Sequence, residues 1–224
     1  RPSEALPHLR LAASLQPENL DVATMLVNAL TVLGHKDEAL EFLEKVRRNW
    51  PEEVNLARSH GLLLQEAGKY QDAVQPLSVV SRKDSGDEDA VVNLCLSLLE
   101  STLDHLVIDG RIKPNINLAE VAQIVSTMIT KRPETIRGHL ILGALQYSMG
   151  NLDDAFDEFK AAAELSAGKD NDTHWIAQGG LGKTALALNR PEVALAVLDE
   201  AAHDQPKNVT IQRLLVPTYL KANL

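Results

Sequence analysis

A 34-residue period constrains this chain more than any other property of its sequence. Pro17 and Pro51, Gly34 and Gly68, and Ala39 and Ala73 each lie 34 residues apart. Helix-ending and small residues recurring at that spacing are the signature of a helix-turn-helix solenoid, in which each repeat packs only on its neighbours. Hydrophobic residues make up 45% of the chain but aromatic ones only 4%. The apolar material is therefore mostly Leu, Ala and Val, which suits close-packed helix pairs better than sheets. The expected fold class is all-α, a solenoid of antiparallel helix pairs.

Alignment on the prolines predicts one solenoid over residues 1–224, expected to be an excerpt of a longer chain. It reads as a second helix alone at 2–17, units at 20–51 and 54–85, an irregular unit at 88–133, units at 136–167 and 175–206, and a first helix alone at 209–224. In the unit 20–51 the first helix runs over about residues 20–33 and is closed by Gly34, which can take the left-handed conformation that ends a helix. The second helix follows over about residues 37–49. Gly61, Gly143 and Gly182 on first helices, and Ala39, Ala73, Ala155 and Ala194 on second helices, fall where the two helices of a pair touch. A larger side chain there would hold them apart.

Two spacings depart from the period. Pro51 to Pro133 spans 82 residues, two periods plus 14, and Pro133 to Pro206 spans 73, two periods plus 5. The first departure predicts an inserted loop at residues 103–117, entered by a helix running from about Asp87 to about Leu106 and turning at Asp109-Gly110. Asn117 and Glu120 form a capping-box variant that opens the next helix. The second departure predicts a loosened loop at residues 169–173. Pro7 and Pro76 are expected to kink their helices slightly, and Pro217 to bend or fray the last one.

The segments "GLLLQEAGKYQDAVQPL" and "LGALQYSMGNLDDAFDEFKAAAEL" carry small, large, glycine and alanine residues in the order of the tetratricopeptide repeat family, which the chain resembles over nearly its whole length. The resemblance implies a right-handed superhelix whose first helices line a concave groove. By register that groove would be formed by Asp21, Thr24 and Asn28, then Asn55, Arg58, Leu62 and Gln65, then Asp89, Val92 and Leu96. It would continue through Arg137, Leu140, Ala144 and Tyr147, then Ile176, Gly179 and Lys183, and end at Arg213. The early part is polar, the middle apolar, and the later part carries three cations that would suit a partner with acidic groups. Some family members clamp a chaperone's terminal carboxylate, but Thr24, Ser59 and Asp89 stand where that clamp needs other groups, so such a partner is disfavoured. Within the insertion, Val107, Ile108, Ile112 and Ile116 are more apolar than a loop requires; folding back on the neighbouring helices is the favoured reading, with Ile108, Ile112 and Ile116 as a possible second surface the alternative.

Other chemistry finds little support. With 22 basic against 31 acidic residues and a net charge of -9, no broad basic face awaits a nucleic acid. No run of about 20 apolar residues would insert into a membrane. Cys95 is the single cysteine, so no internal disulfide forms, and a small buried residue is the expected role. Gly179-Gly180-Leu181-Gly182-Lys183-Thr184 looks like a phosphate loop. However, no strand precedes it, and Leu181 and Gly182 fall in register with Leu142 and Gly143. Asp84, Asp87 and Asp89 read as a polar turn in which Asp87 caps the next helix. The seven histidines show no metal-ligand spacing. The chain is thus expected to be a protein-protein interaction scaffold with no cofactor and no enzymatic activity of its own. The alternatives are the substrate-recognition arm of a larger multidomain enzyme and a self-assembly module.

Overall fold

A computed structural model of the chain describes residues 2–100, 103, 105–110, 117–169 and 171–222, the side chains of residues 171 and 172 excepted. Ile112 and Ile116 lie outside the described residues. The described chain is all-α, of the helical-repeat solenoid class, and its helices group into two compact units, Arg1–Ser85 and Gly86–Leu224.

Unit 1 holds α1 (Pro2–Leu15), α2 (Leu20–Val32), α3 (Lys36–Val46), α4 (Val54–Glu66) and α5 (Tyr70–Lys83). Each helix packs on the next, and the first helices α2 and α4 also meet each other. Asn19 caps α2 by accepting the Val22 N–H at 3.2 Å, and Glu53 caps α4 by accepting the Leu56 N–H at 2.8 Å. Gly34 takes φ +78° beyond α2, and the next N–H, that of His35, returns to the Leu30 carbonyl at 2.9 Å. The pair α4–α5 shows why small residues recur. A Cβ at Gly61 would lie 2.5 Å from Leu77 Cγ, while Ala73 is fully buried.

Unit 2 holds α6 (Glu88–Leu98), a π-helical turn (His105–Asp109), α7 (Leu118–Lys131), α8 (Ile136–Met149), α9 (Leu152–Ser166), α10 (Asn171–Ala187), α11 (Pro191–Asp204) and α12 (Val209–Lys221). Asp87 and Asn117 cap α6 and α7 by accepting the N–H groups of Ala90 and Glu120. The first helices α6, α8, α10 and α12 pack side by side, each against the next. Phe159 of α9 is wedged between α8 and α10. A Cβ at Gly143 would lie 2.9 Å from its ring, and one at Gly180 2.7 Å. In the next pair, Gly182 meets Leu198, and Ala194 is fully buried.

Three expectations are corrected here. The helix that opens the irregular unit stops at Leu98 and does not run on to Leu106; Leu99 closes it and Glu100 takes a positive φ of 46°. A straight continuation would carry Leu106, Val107 and Ile108 beyond their neighbours, whereas turning back buries all three against α8 and α10. The loosened loop at 169–173 is largely absorbed, since α10 already begins at Asn171. Finally, α12 continues through Pro217 to Lys221, so the helix does not fray at the proline.

Candidate functional site

The first-helix faces of the two units differ. In unit 1, α2 and α4 present Asn28 and Asn55 as exposed residues, Thr24, Arg58 and Gln65 half-buried, and Leu62 at 37% exposure. Asn55 donates to Glu53 Oε1 at 3.3 Å. The face is open and polar, with one accessible leucine at its centre. These side chains stand outward because Leu26, Leu30, Leu56 and Leu63, on the opposite faces of the same helices, are taken up by the core.

Unit 1 also contains a polar cluster that sequence reasoning missed. Arg47, at the end of α3, is buried. Its Nη1 donates to His60 Nδ1 at 3.2 Å and to Gln75 Oε1 at 3.1 Å, and its Nη2 donates to the Pro51 carbonyl. Because a guanidinium only donates, His60 Nδ1 is the acceptor and the ring is neutral. Burial, followed by the charge of Arg47, pushes His60 down to about 4, and burial also lowers Arg47. No spacing in the sequence announces this cluster, since its members come from three helices.

In unit 2 the predicted groove positions are engaged. Arg137 is held by Glu88 Oε1 at 3.1 Å and Asp89 Oδ1 at 2.5 Å, so its charge is matched within the unit. Leu140 is 0% exposed and belongs to the core, which corrects its expected place on the groove surface. Ala144, Val92 and Ile176 are buried with it. Tyr147 is half-buried beneath the Lys183 ammonium, which sits 4.3 Å from the ring centroid.

What covers this face is the π-helical turn His105–Asp109. Val107 and Ile108, on the π-helical turn, pack against the first helices α8 and α10, and Ile108 is only 5% exposed, so these two residues fold back on the neighbouring helices, as the favoured reading had it, and Ile108 forms no exposed second surface. Ile108 Cδ1 lies 2.6 Å from where a Cβ of Gly179 would be, and Val107 Cγ1 lies 2.9 Å from that of Gly180. Lys183 Nζ donates to the Val107 carbonyl at 3.3 Å, and Arg213 Nη2 to Asp109 Oδ1 at 2.7 Å. Burial lowers the Lys183 ammonium, with Asp109 opposing that shift. Burying Val107 and Ile108 contributes about 3–6 kcal/mol, far more than the exposed Arg213–Asp109 pair, which adds roughly 0–1 kcal/mol.

The Gly179 to Thr184 sequence lies in the middle of α10, so its backbone N–H groups belong to the helix ladder and cannot cradle a phosphate. Cys95 is fully buried, and burial pushes its thiol up to about 12. Among the described residues no group of three or more His, Cys, Asp or Glu is placed to hold a metal ion, and no helix is long and apolar enough to cross a membrane.

Comparison with known proteins agrees with this architecture. Two family profiles, both described as tetratricopeptide repeat, match residues 1–59 and 147–209. No curated protein matches the sequence significantly. Among solved structures, YrrB, described as a TPR protein with an unusual peptide-binding site, superposes with a TM-score of 0.70 at 18% identity, over 92% of this chain and 96% of that one. A tetratricopeptide repeat protein from Parabacteroides merdae superposes at 0.65 with 15% identity, over 99% and 80% of the two chains. MamA superposes at 0.65 with 16% identity, over 84% and 93%. At these identities the likeness is one of fold.

Proposed function

Because the chain belongs to the tetratricopeptide repeat family, whose fold generally serves as a protein–protein interaction scaffold, we propose that it is a non-enzymatic scaffold that holds a segment of a partner protein against its first-helix faces. The observation that carries this reading is the open row on unit 1. Asn28, Asn55 and Leu62 stand exposed on helices whose other faces are fixed by the core, with Arg58 and Gln65 beside them. Side chains held at set positions lose little order on binding, and asparagine and glutamine amides can read a peptide backbone in both donor and acceptor senses. Arg58 is the cation of this row and suits an acidic group on the partner. The peptide-binding site of the similarly folded YrrB supports the same class of partner.

The test is capture of partners on the immobilised chain, comparing the unchanged protein with an Arg58→Glu, Leu62→Asp variant whose helicity and melting are unaltered. A protein retained by the first and lost from the second supports the reading; identical captures overturn it for unit 1. Self-association is a second reading, favoured by the exposed apolar residues Leu11, Leu15, Met25 and Val32 on α1 and α2. A mass that rises with concentration in sedimentation would support it.

A further inference from the structure

The inserted segment and the first-helix face of unit 2 complement each other in three ways. Ile108 occupies the space that a side chain at Gly179 would otherwise fill, and Val107, together with Phe159, that at Gly180. Lys183 donates to a main-chain carbonyl, that of Val107, at 3.3 Å. Arg213, on the neighbouring first helix, holds the Asp109 carboxylate at 2.7 Å. Two apolar notches, a donor to the backbone and a carboxylate clamp make up the recognition of a short apolar–apolar–acidic segment.

The segment is not locked into this seat by its own secondary structure. It forms a single π-helical turn, a rare form that recurs at functional sites, with left-handed residues at Glu100 before it and Gly110 after it. Arg213 is exposed, and a cleft lined by His105, Asp109, Trp175, Thr210 and Arg213 opens beside the seat. A competing carboxylate can therefore reach the clamp before anything in the core has moved.

We propose that the first-helix face of unit 2 is a docking site for a partner's short segment of two apolar residues followed by Asp or Glu, and that Val107, Ile108 and Asp109 fill it in cis until such a segment displaces them. This rests on the scaffold reading and adds to it the chemistry of the partner and a means of control. An intramolecular occupant lowers the apparent affinity in proportion to the fraction of time the seat is open. A seat open about 1% of the time binds roughly 100-fold more weakly than an empty one.

The experiment uses a labelled synthetic peptide with the chain's own residues 103–110, titrated against the whole chain by fluorescence anisotropy. A Val107→Ser, Ile108→Ser variant should bind this peptide at least about 10-fold more tightly than the unchanged protein, and adding Arg213→Glu should remove the gain. Should that variant fail to fold, Asp109→Ala gives up the ion pair with an exposed arginine without touching the apolar contacts of Val107 and Ile108, and should still raise the affinity by about 2- to 5-fold. No gain in a folded variant overturns the proposal, as does a gain that survives Arg213→Glu. A released variant that doubles its mass instead of binding peptide also overturns it, placing a second copy in the seat. A captured partner that is lost with the Arg58→Glu, Leu62→Asp change but indifferent to every change at the insertion would overturn this proposal alone. Indifference to both sets would remove the scaffold reading as well.

Discussion

Gly143→Ala sets two effects of opposite sign against each other. Replacing glycine by alanine inside a helix favours folding by about 0.8–1 kcal/mol on helix propensity alone. Against that, the new Cβ would stand 2.9, 3.0 and 3.1 Å from three atoms of the Phe159 ring, which is itself 1% exposed. The ring cannot retreat, because the space beside Gly180 on α10 is just as tight, at 2.7 Å. Overpacking a closed site costs about 1–3 kcal/mol, and a rigid ring held from both sides belongs at the upper end. The net expectation is a loss of about 1–2 kcal/mol, or a fall of roughly 2–8 °C in melting temperature. Urea unfolding followed by circular dichroism measures it. Phe159→Leu shrinks the wedge, so the double variant should be more stable than the sum of the single effects predicts, by about 1–2 kcal/mol. A Gly143→Ala protein as stable as the parent, or a strictly additive pair, would refute the reasoning.

Two half-buried histidines, His60 and His139, should respond to pH in opposite senses. Between the ordinary histidine value of 6.5 and about 4, the unfolded chain binds a proton that folded His60 refuses. The stability of unit 1 should therefore fall as pH drops through that window, and His60→Asn should flatten the dependence seen by hydrogen exchange of α4 and α5. His139 is raised, chiefly by its 2.6 Å hydrogen bond with Glu158 Oε2 and also by the Pro133 carbonyl. Its contribution should be complete below 6.5 and vanish as pH rises through the raised folded value, which an NMR titration of the ring checks directly. Asn189 takes φ +58° before α11, where the equivalent turn before α9 has Gly150 at φ +85°. Asn189→Gly should thus be neutral or stabilising by up to about 1 kcal/mol in the same urea assay.

The helix pairs were legible because their signals are local and repeated. Gly61 against Leu77 and Gly182 against Leu198 follow from one rule, close approach at a fixed register, and the structure meets it in both units. The cluster of Arg47, His60 and Gln75 was not legible, because three residues from three helices converge with no periodicity to mark them. The groove was only half legible. Register correctly identifies first-helix positions, but whether a position faces solvent depends on what covers it. Leu140 and Arg137 were assigned to an open surface; the first is core and the second is tied to Glu88 and Asp89.

One signal for the covered groove was present in the sequence. With Gly182 set on Gly143, the repeat places Gly179 and Gly180 at the positions of Leu140 and Ile141. The earlier unit fills those positions with two large apolar side chains; the later one leaves them empty. Glycine costs about 1 kcal/mol at each helical position, so two in succession need an offsetting contact. At Gly179 that contact is supplied from outside the period by Ile108, and at Gly180 Val107 adds to the contact of Phe159; both residues are carried in the one long insertion the chain possesses. A pair of repeat-breaking glycines and a repeat-breaking apolar insertion are therefore a single feature, a cavity and the residues that fill it. The same fit explains the resemblance to a phosphate loop. Gly179 and Gly180 make room for Ile108 and Val107, Gly182 admits Leu198, and Lys183 reaches the Val107 carbonyl. Each of those four residues is accounted for by a protein contact, with no nucleotide required.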